Sequence, residues 1–174
     1  MEILAQIAVN AEKDHEIRSQ LKWRPNNSVY KNGGTIRFIE FQQKDSSRNY
    51  TISSVKNQNW IQETLYKCQT WKTLPQIDQI LKAQDIPENQ CIDYREDLIN
   101  NQLLKSNLEP NITGEDYGRR VLKILQDIAP THYLTRNLQQ AINLFATYDD
   151  NVDMESLKQG TEKLMNAANN DQHK

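Results

Sequence analysis

The chain has 174 residues, a formal net charge of −2 and a hydrophobic fraction of 37%. This length can bury a core without covalent staples, and the two cysteines, Cys68 and Cys91, have no Cys or His neighbour at zinc-ligand spacing. These features exclude a small disulfide or zinc framework. They favour a reducing, intracellular compartment, so we expect a cytoplasmic protein.

The first predicted element is an N-terminal helix. Ile3 and Ile7 lie one helical turn apart, and no Gly or Pro interrupts the chain before Leu21. Glu2 stands where a signal peptide would carry Lys or Arg, and the apolar run over residues 3–9 is too short to cross a bilayer. We therefore expect no membrane partner.

Two segments rich in β-branched and aromatic residues come next. Pro25 and the asparagines after it end the first helix, and Gly33 and Gly34 close a flexible link. Thr35 to Phe41 and Tyr50 to Val55 are separated by a polar run. This arrangement predicts a β-hairpin.

Helical periodicity continues from residue 59 onward. It is clearest over residues 117–128, where apolar residues recur at i, i+4, i+7, i+8 and i+11 between a predicted cap at Thr113 and a stop at Pro130. The other predicted helices carry Ile61 to Cys68, Ile77 to Leu81 behind a capping box of Thr73 and Gln76, Tyr94 to Leu103, Leu134 to Tyr148 behind a cap at Thr131, and Met154 to Ala168.

The predicted fold class is mainly α, of the α+β type. Short connections between the helices favour an antiparallel helical bundle with an N-terminal β-hairpin. The predicted organisation is a helix and hairpin element over residues 1–57, a helical bundle over 58–168 and a frayed tail over 169–174, all in one compact unit. The low apolar content predicts a narrow core, to which a deep catalytic cavity is poorly suited.

Sequence motifs for catalysis, metals or cofactors are missing. His15, His132 and His173 are far apart and no HExxH pattern occurs, so the prediction is no metal and no cofactor. Gly33 and Gly34 precede a strand, whereas a phosphate loop opens a helix. The chain is therefore predicted not to be an enzyme. The alternative, an enzyme assembled from distant residues, would show a concave pocket lined by ionisable groups with displaced pKa values.

One stretch concentrates positive charge and aromatic rings. Between Arg18 and Trp60, eight cations accompany two carboxylates, a net charge of +6, whereas residues 83–174 carry −6. Cations can neutralise phosphates, and rings can stack on bases. The predicted nucleic-acid-binding residues are Lys22, Trp23, Arg24, Tyr30, Lys31, Arg37, Phe41, Lys44, Arg48 and Tyr50. In the alternative, Trp23, Phe38 and Trp60 fill the junction between hairpin and helices, and the cations only solubilise strand edges.

The leading hypothesis is a non-enzymatic accessory subunit that acts by surface contact in a complex containing DNA or RNA. The alternative is a protein that binds only proteins, such as an inhibitor or adaptor of a host complex carried by a phage or another mobile element. Its contact area would be the hairpin edge and the Asn/Gln-rich helix faces. Steep salt dependence of binding to short DNA or RNA separates the two. The sequence indicates neither the oligomeric state nor the partner's identity.

Overall fold

The computed structural model describes residues 2–44, 47–110, 116–146 and 154–169, with side chains over 4–42, 49–110, 116–144 and 158–166. The described residues form a mixed α+β fold. Its helices are α1 Glu2–Lys13, α2 His15–Arg18, α3 Asn59–Lys67, α4 Leu74–Lys82, α5 Glu88–Asn100, α6 Tyr117–Ile128, α7 Tyr133–Ala146 and α8 Met154–Asn169. Its strands are β1 Trp23–Pro25, β2 Tyr30–Asn32, β3 Thr35–Lys44, β4 Ser47–Lys56 and β5 Leu104–Ser106. The coarse prediction of helices with some strand is confirmed, whereas the antiparallel bundle stays a prediction.

The chain divides into two compact units. One combines Met1–Ser19 with Leu108–Lys174, and the other is Gln20–Asn107. The first unit therefore contains α1, α2 and α6 to α8, and the second contains all five strands with α3 to α5. The second unit includes residues on both sides of position 57. The division that the sequence predicts there, between residues 1–57 and 58–168, stays a prediction.

In the first unit, the N-terminal helix is interrupted at Asp14. Its Oδ1 accepts hydrogen bonds from the backbone N–H groups of Glu16 and Ile17, at 3.0 and 3.1 Å. Its Oδ2 lies 3.2 Å from His132 Nε2. A short acidic side chain competes for backbone donors in this way and starts a new helix. The single helix predicted up to Leu21 is thus two, α1 and α2.

Helix α6 covers the residues that the apolar pattern predicts. Asp116 caps it, because its Oδ1 accepts from Arg119 N at 2.9 Å; the predicted cap Thr113 lies outside the described residues. Gly118 allows a close approach to α1, since a Cβ there would lie 3.2 Å from Leu4 Cδ1. Tyr117 is buried on the same side, and its hydroxyl donates to Leu108 O at 2.9 Å.

The second unit contains two antiparallel sheets. One has the strand order β2-β3-β4, and the other pairs β1 with β5. Gly33, with φ 58°, supplies the left-handed residue of the turn between β2 and β3. In the larger sheet Ile36 and Phe38 point into the core, at 2% and 1% exposure. None of the described helices combines the length and apolar composition needed to cross a membrane.

Candidate functional site

The outward face of the three-stranded sheet presents large apolar side chains to solvent. Ile39 of β3 pairs with Ile52 of β4, and they are 45% and 70% exposed. Phe41 pairs with Tyr50, which is 64% exposed, and their ring centroids are 6.4 Å apart. A contiguous exposed apolar patch on a sheet usually marks a contact surface.

This outward face is also electropositive. Arg37 lies on it between Tyr30 of β2 and Ser54 of β4, and Lys56 lies at its end. The described side chains of this face include no carboxylate, because Glu40 belongs to the opposite face, where it pairs with Thr51. The face therefore complements apolar and acidic groups.

Side chains close the edge of β3 beyond the end of β2. Ser28 Oγ accepts from Ile39 N at 2.8 Å, and the buried Asn26 donates from Nδ2 to Ile39 O at 2.8 Å. Gln102 completes the closure, since its Oε1 accepts from Phe41 N at 3.0 Å and its Nε2 donates to Phe41 O at 2.7 Å. These polar groups satisfy the backbone that a further strand would otherwise pair with.

The outer edge of β4, in contrast, is open. In an antiparallel pair, backbone groups point alternately toward and away from the partner strand. Because Ile39 and Phe41 bond away from β4, their partners Ile52 and Tyr50 also point away from β3. No described strand pairs with that edge. The backbone N–H and C=O groups of Tyr50, Ile52 and Ser54 therefore form a row of groups that an incoming strand can pair with.

Two cations lie between aromatic rings in a row of side chains in the second unit. Arg24 of β1 lies over the Trp71 ring at 4.5 Å, and Lys105 of β5 lies over the Phe41 ring at 4.3 Å. Arg24 and Lys105 are cross-strand partners, and Phe41 meets Tyr50. We call Trp71, Arg24, Lys105, Phe41 and Tyr50 the cation–ring ladder.

The structure brings only some of the ten predicted site residues together. Tyr30, Arg37, Phe41 and Tyr50 share the outward face. Trp23 cannot stack on a base, because it is 1% exposed. Phe38 is likewise buried, whereas Trp60, the third ring of the alternative in which rings fill the junction between hairpin and helices, is half-buried.

The other cations are placed separately. Lys31 pairs in register with Ile36, so it lies on the opposite side of the sheet, and its Nζ donates to Gln62 Oε1 at 3.3 Å. Lys22 is exposed beside Trp23, while Arg24 joins the ladder. The side chains of Lys44 and Arg48 lie outside the described residues.

Several residues of this surface are missing from the sequence prediction. Gln102 lies in the turn between α5 and β5, where the sequence predicts the end of a helix, and Lys105 lies in β5. Trp71 lies between α3 and α4. The feature that distinguishes Gln102 is visible only in the structure: it has a positive φ of 58°, which is uncommon for a residue other than glycine.

The remaining ionisable clusters are structural. Arg95, largely buried, bonds to Asp78 of α4 at 2.5 Å and to its neighbour Glu96 at 3.1 Å. Burial raises the pKa of Asp78, and the charge of Arg95 opposes that rise.

Burial also raises the pKa of the Cys68 thiol, to about 11, and the charge of Lys72 opposes that rise. A thiol held protonated is a poor nucleophile.

One open cavity of about 320 Å³ lies in the second unit. It is lined by Lys67, Lys72, Gln76, Gln79, Ile80 and Ala83. This set holds no carboxylate, His or Cys for acid–base or nucleophilic chemistry. Within the described residues, no group of three or more His, Cys, Asp or Glu side chains could hold a metal ion.

A comparison with solved structures finds a similar fold. The crystal structure of the tRNA-dependent lantibiotic dehydratase MibB from Microbispora sp. 107891 matches with a TM-score of 0.68 and 14% sequence identity. The match covers 100% of this chain but 18% of MibB, so this chain spans less than a fifth of that protein's length. At this identity the likeness concerns the fold. No curated protein matches the chain.

The family model described as "Lantibiotic dehydratase, N terminus" matches residues 1–173. This match overturns four sequence predictions. The non-enzymatic accessory protein in a nucleic-acid complex is wrong, and so is the phage or mobile-element inhibitor or adaptor, because the matched family is that of a dehydratase. The prediction that the chain is not an enzyme is wrong for the same reason. Nucleic acid is also the wrong partner.

The physical cause of these errors is that cations interleaved with rings are not specific to nucleic acids. The same composition arises when inner rings fill a core, as Trp23 does, and when outer cations lie over exposed rings, as Arg24 does over Trp71. Because this family model matches residues 1–173, nearly the whole chain, the chain belongs to the lantibiotic dehydratases, in the part described as their N terminus.

Proposed function

We propose that this chain is part of a dehydratase that modifies a lantibiotic-type peptide, and that its second unit holds this peptide as an added strand on β4. The observation that carries the proposal is the open edge of β4 beside an exposed apolar face. The family supplies the kind of substrate, and the sheet supplies a place for it.

Strand addition suits an enzyme that must hold a peptide chain. Main-chain hydrogen bonds provide affinity for many sequences, while alternate side chains of the added strand contact the sheet face and provide selectivity. Ile52 and Tyr50, at 70% and 64% exposure, lie next to the edge on the outward face. Apolar side chains of the peptide would cover them there.

The neighbouring edges offer less. Gln102, Asn26 and Ser28 occupy the β3 edge, and β2 is only 3 residues long. β4 has 10 residues and runs the full length of the hairpin. A strand of about six residues, or about 20 Å, therefore fits beside it.

A proline at position 52 tests the proposal. Ile52→Pro removes the outward N–H and places the ring against an incoming strand, while the pairing with β3 does not use that N–H. The probe is a fluorescent synthetic peptide of about six alternating Val and Thr residues without charged side chains. Ile52→Pro should weaken its binding about tenfold, which corresponds to one main-chain hydrogen bond.

Ile52→Val is the matched control, because it keeps the N–H and a β-branched side chain. It should bind within about twofold of the wild type. Equal binding by Ile52→Pro and the wild type, with both folded by circular dichroism, would rule out strand addition at β4.

A further inference from the structure

The open cavity of about 320 Å³ in the second unit lies along one face of α4. Residues three, four and seven positions apart share a face of a helix, and four members of the lining have this spacing: Gln76, Gln79, Ile80 and Ala83. The others are Lys67, the last residue of α3, and Lys72, between α3 and α4. The lining therefore combines two cations and two amides with a small apolar area.

Lys72 is the unusual member of this lining, because it is half-buried and has no acidic partner among the described residues. Its backbone is fixed on both sides by Trp23: Lys72 N donates to Trp23 O at 2.9 Å, and Lys72 O accepts from Trp23 N at 2.7 Å. The ammonium group lies near enough to the Cys68 thiol to oppose the rise in its pKa. A lysine that is partly removed from water usually has an anion beside it.

The acidic residues of α3 and α4 do not supply that anion. Asp78 is the acidic residue of α4, and it bonds to Arg95 of α5 at 2.5 Å. Glu63 lies one turn before Lys67 on α3, yet these two side chains form no ion pair in the described part of the chain. Both lysines of the cavity can therefore pair with an anion from solution.

Gln76 adds a donor to the two cations. Its Oε1 accepts from Thr73 N at 2.9 Å in the capping box of α4, which leaves the Nε2 group to donate elsewhere. Two ammonium groups and amide N–H groups thus line a cavity that contains no carboxylate. Such a set of donors suits an anion with several oxygen atoms.

We propose that this cavity binds a small molecule that carries a phosphate monoester. The phosphate lies at Lys67 and Lys72, and the adjoining apolar part of the molecule contacts Ile80. A phosphate monoester suits two cations better than a carboxylate does, because it carries nearly two negative charges at pH 7 and three strong acceptor oxygens. The volume is at the small end of the range for ligand pockets. This site goes beyond the proposed peptide role, since its lining includes no residue of β4.

Phenyl phosphate is the probe, titrated into the full chain at constant ionic strength. The side-chain amide N–H signals of Gln76 and Gln79 in two-dimensional NMR spectra should shift and reach saturation, with a dissociation constant on the order of 1 mM. Inorganic phosphate should bind severalfold more weakly, because it makes no apolar contact with Ile80. Benzyl alcohol, which has the ring without the charge, should give no saturable shift.

Lys72→Gln should weaken the binding of phenyl phosphate about tenfold, because it removes the half-buried charge. Lys72→Arg keeps a positive charge and should bind within about threefold of the wild type. The matched control is Lys22→Gln, which removes an exposed cation of the same unit outside the lining and should bind as the wild type does.

Gln79→Glu provides a second test that leaves Lys72 in place. It puts a carboxylate in the lining at an exposed helical position, so the variant should fold and should also bind phenyl phosphate about tenfold more weakly. If Lys72→Gln does not fold, this variant decides the question.

Three results would overturn the phosphate site. These are binding of phenyl phosphate that survives unchanged in folded Lys72→Gln or in Gln79→Glu, an equal loss in the Lys22→Gln control, and NMR shifts that sodium chloride reproduces at the same ionic strength. The last two would show general charge attraction. Strand addition at β4 is judged separately, because the Ile52→Pro experiment uses a peptide without charged groups.

Discussion

Trp23 and Tyr50 are aromatic residues of the same basic stretch, yet they serve opposite purposes. Trp23 is 1% exposed. Its backbone N–H donates to Lys72 O at 2.7 Å, and its backbone O accepts from Lys72 N at 2.9 Å. Tyr50 is 64% exposed on the outward face of β4. The first residue stabilises the second unit, and the second is available to contact a ligand.

Truncation of these two rings should therefore separate stability from binding. Trp23→Ala should lower the free energy of unfolding by about 3–5 kcal/mol, because it empties a buried site. Tyr50→Ala should change it by less than about 0.5 kcal/mol and should weaken peptide binding. Urea denaturation measures the first effect. A stable Trp23→Ala protein would contradict the placement of this ring in the core.

Cys68 gives a prediction about pH. Burial raises the pKa of its thiol from 9.0 to about 11, so the folded state holds this proton more tightly than the unfolded state. The contribution to stability is fully present below pH 9 and is lost as pH rises through about 11. Cys68→Ala should lose less stability than the wild type over that range in urea denaturation. Parallel losses in the two proteins would contradict this.

At the scale of the elements, side chains bond to the backbone at the β3 edge of the β3–β4 pair but not, within the described residues, at the β4 edge. Gln102 adopts a left-handed φ of 58° and directs both ends of its side-chain amide at the backbone of Phe41. A residue held in that conformation costs about 1 kcal/mol or more, which the two hydrogen bonds offset. The β4 edge has no such closure within the described residues.

Gln102→Ala should open the β3 edge. It removes both hydrogen bonds to Phe41, so we expect a loss of about 1–3 kcal/mol in the free energy of unfolding. Amide hydrogen exchange at Phe41 should become faster by at least about tenfold, while exchange at Phe38 changes less. Gln102→Glu keeps one acceptor and should have a smaller effect on the Phe41 amide. Unchanged exchange at Phe41 in Gln102→Ala would contradict the closure.

The helical elements could be predicted where apolar residues recur along one face. Helix α6 spans Tyr117–Ile128, the residues of the clearest pattern, and Gln76 Oε1 accepts from Thr73 N at 2.9 Å as the capping pattern predicts. Strands β1 and β5 could not be predicted, because each has 3 residues and its partner is about 80 residues away in sequence.

The candidate site shows the same limit. Exposed rings and cations on β3 and β4 could be identified from their composition, but the ladder depends on Trp71 and Lys105, which other elements supply. Local patterns carry no information about which distant residues meet. For that reason the burial of Trp23 and the open edge of β4 became visible only in three dimensions.

At the scale of the whole molecule, the second unit is a continuous segment, Gln20–Asn107, and the first unit joins the residues on either side of it. All strands of the described residues lie in the second unit. If peptide binding is its role, the changes caused by a bound peptide should be concentrated there.

Amide hydrogen exchange of the full chain with and without the neutral peptide tests strand addition most directly. The N–H groups of Tyr50, Ile52 and Ser54 point away from β3, so their exchange should slow in the complex. The N–H groups of Thr51 and Ser53 already bond to β3, so their exchange should change little. Slower exchange at these three alternate residues is the result that strand addition predicts. Saturating peptide that leaves their exchange unchanged, or that protects only residues outside β4, would contradict it.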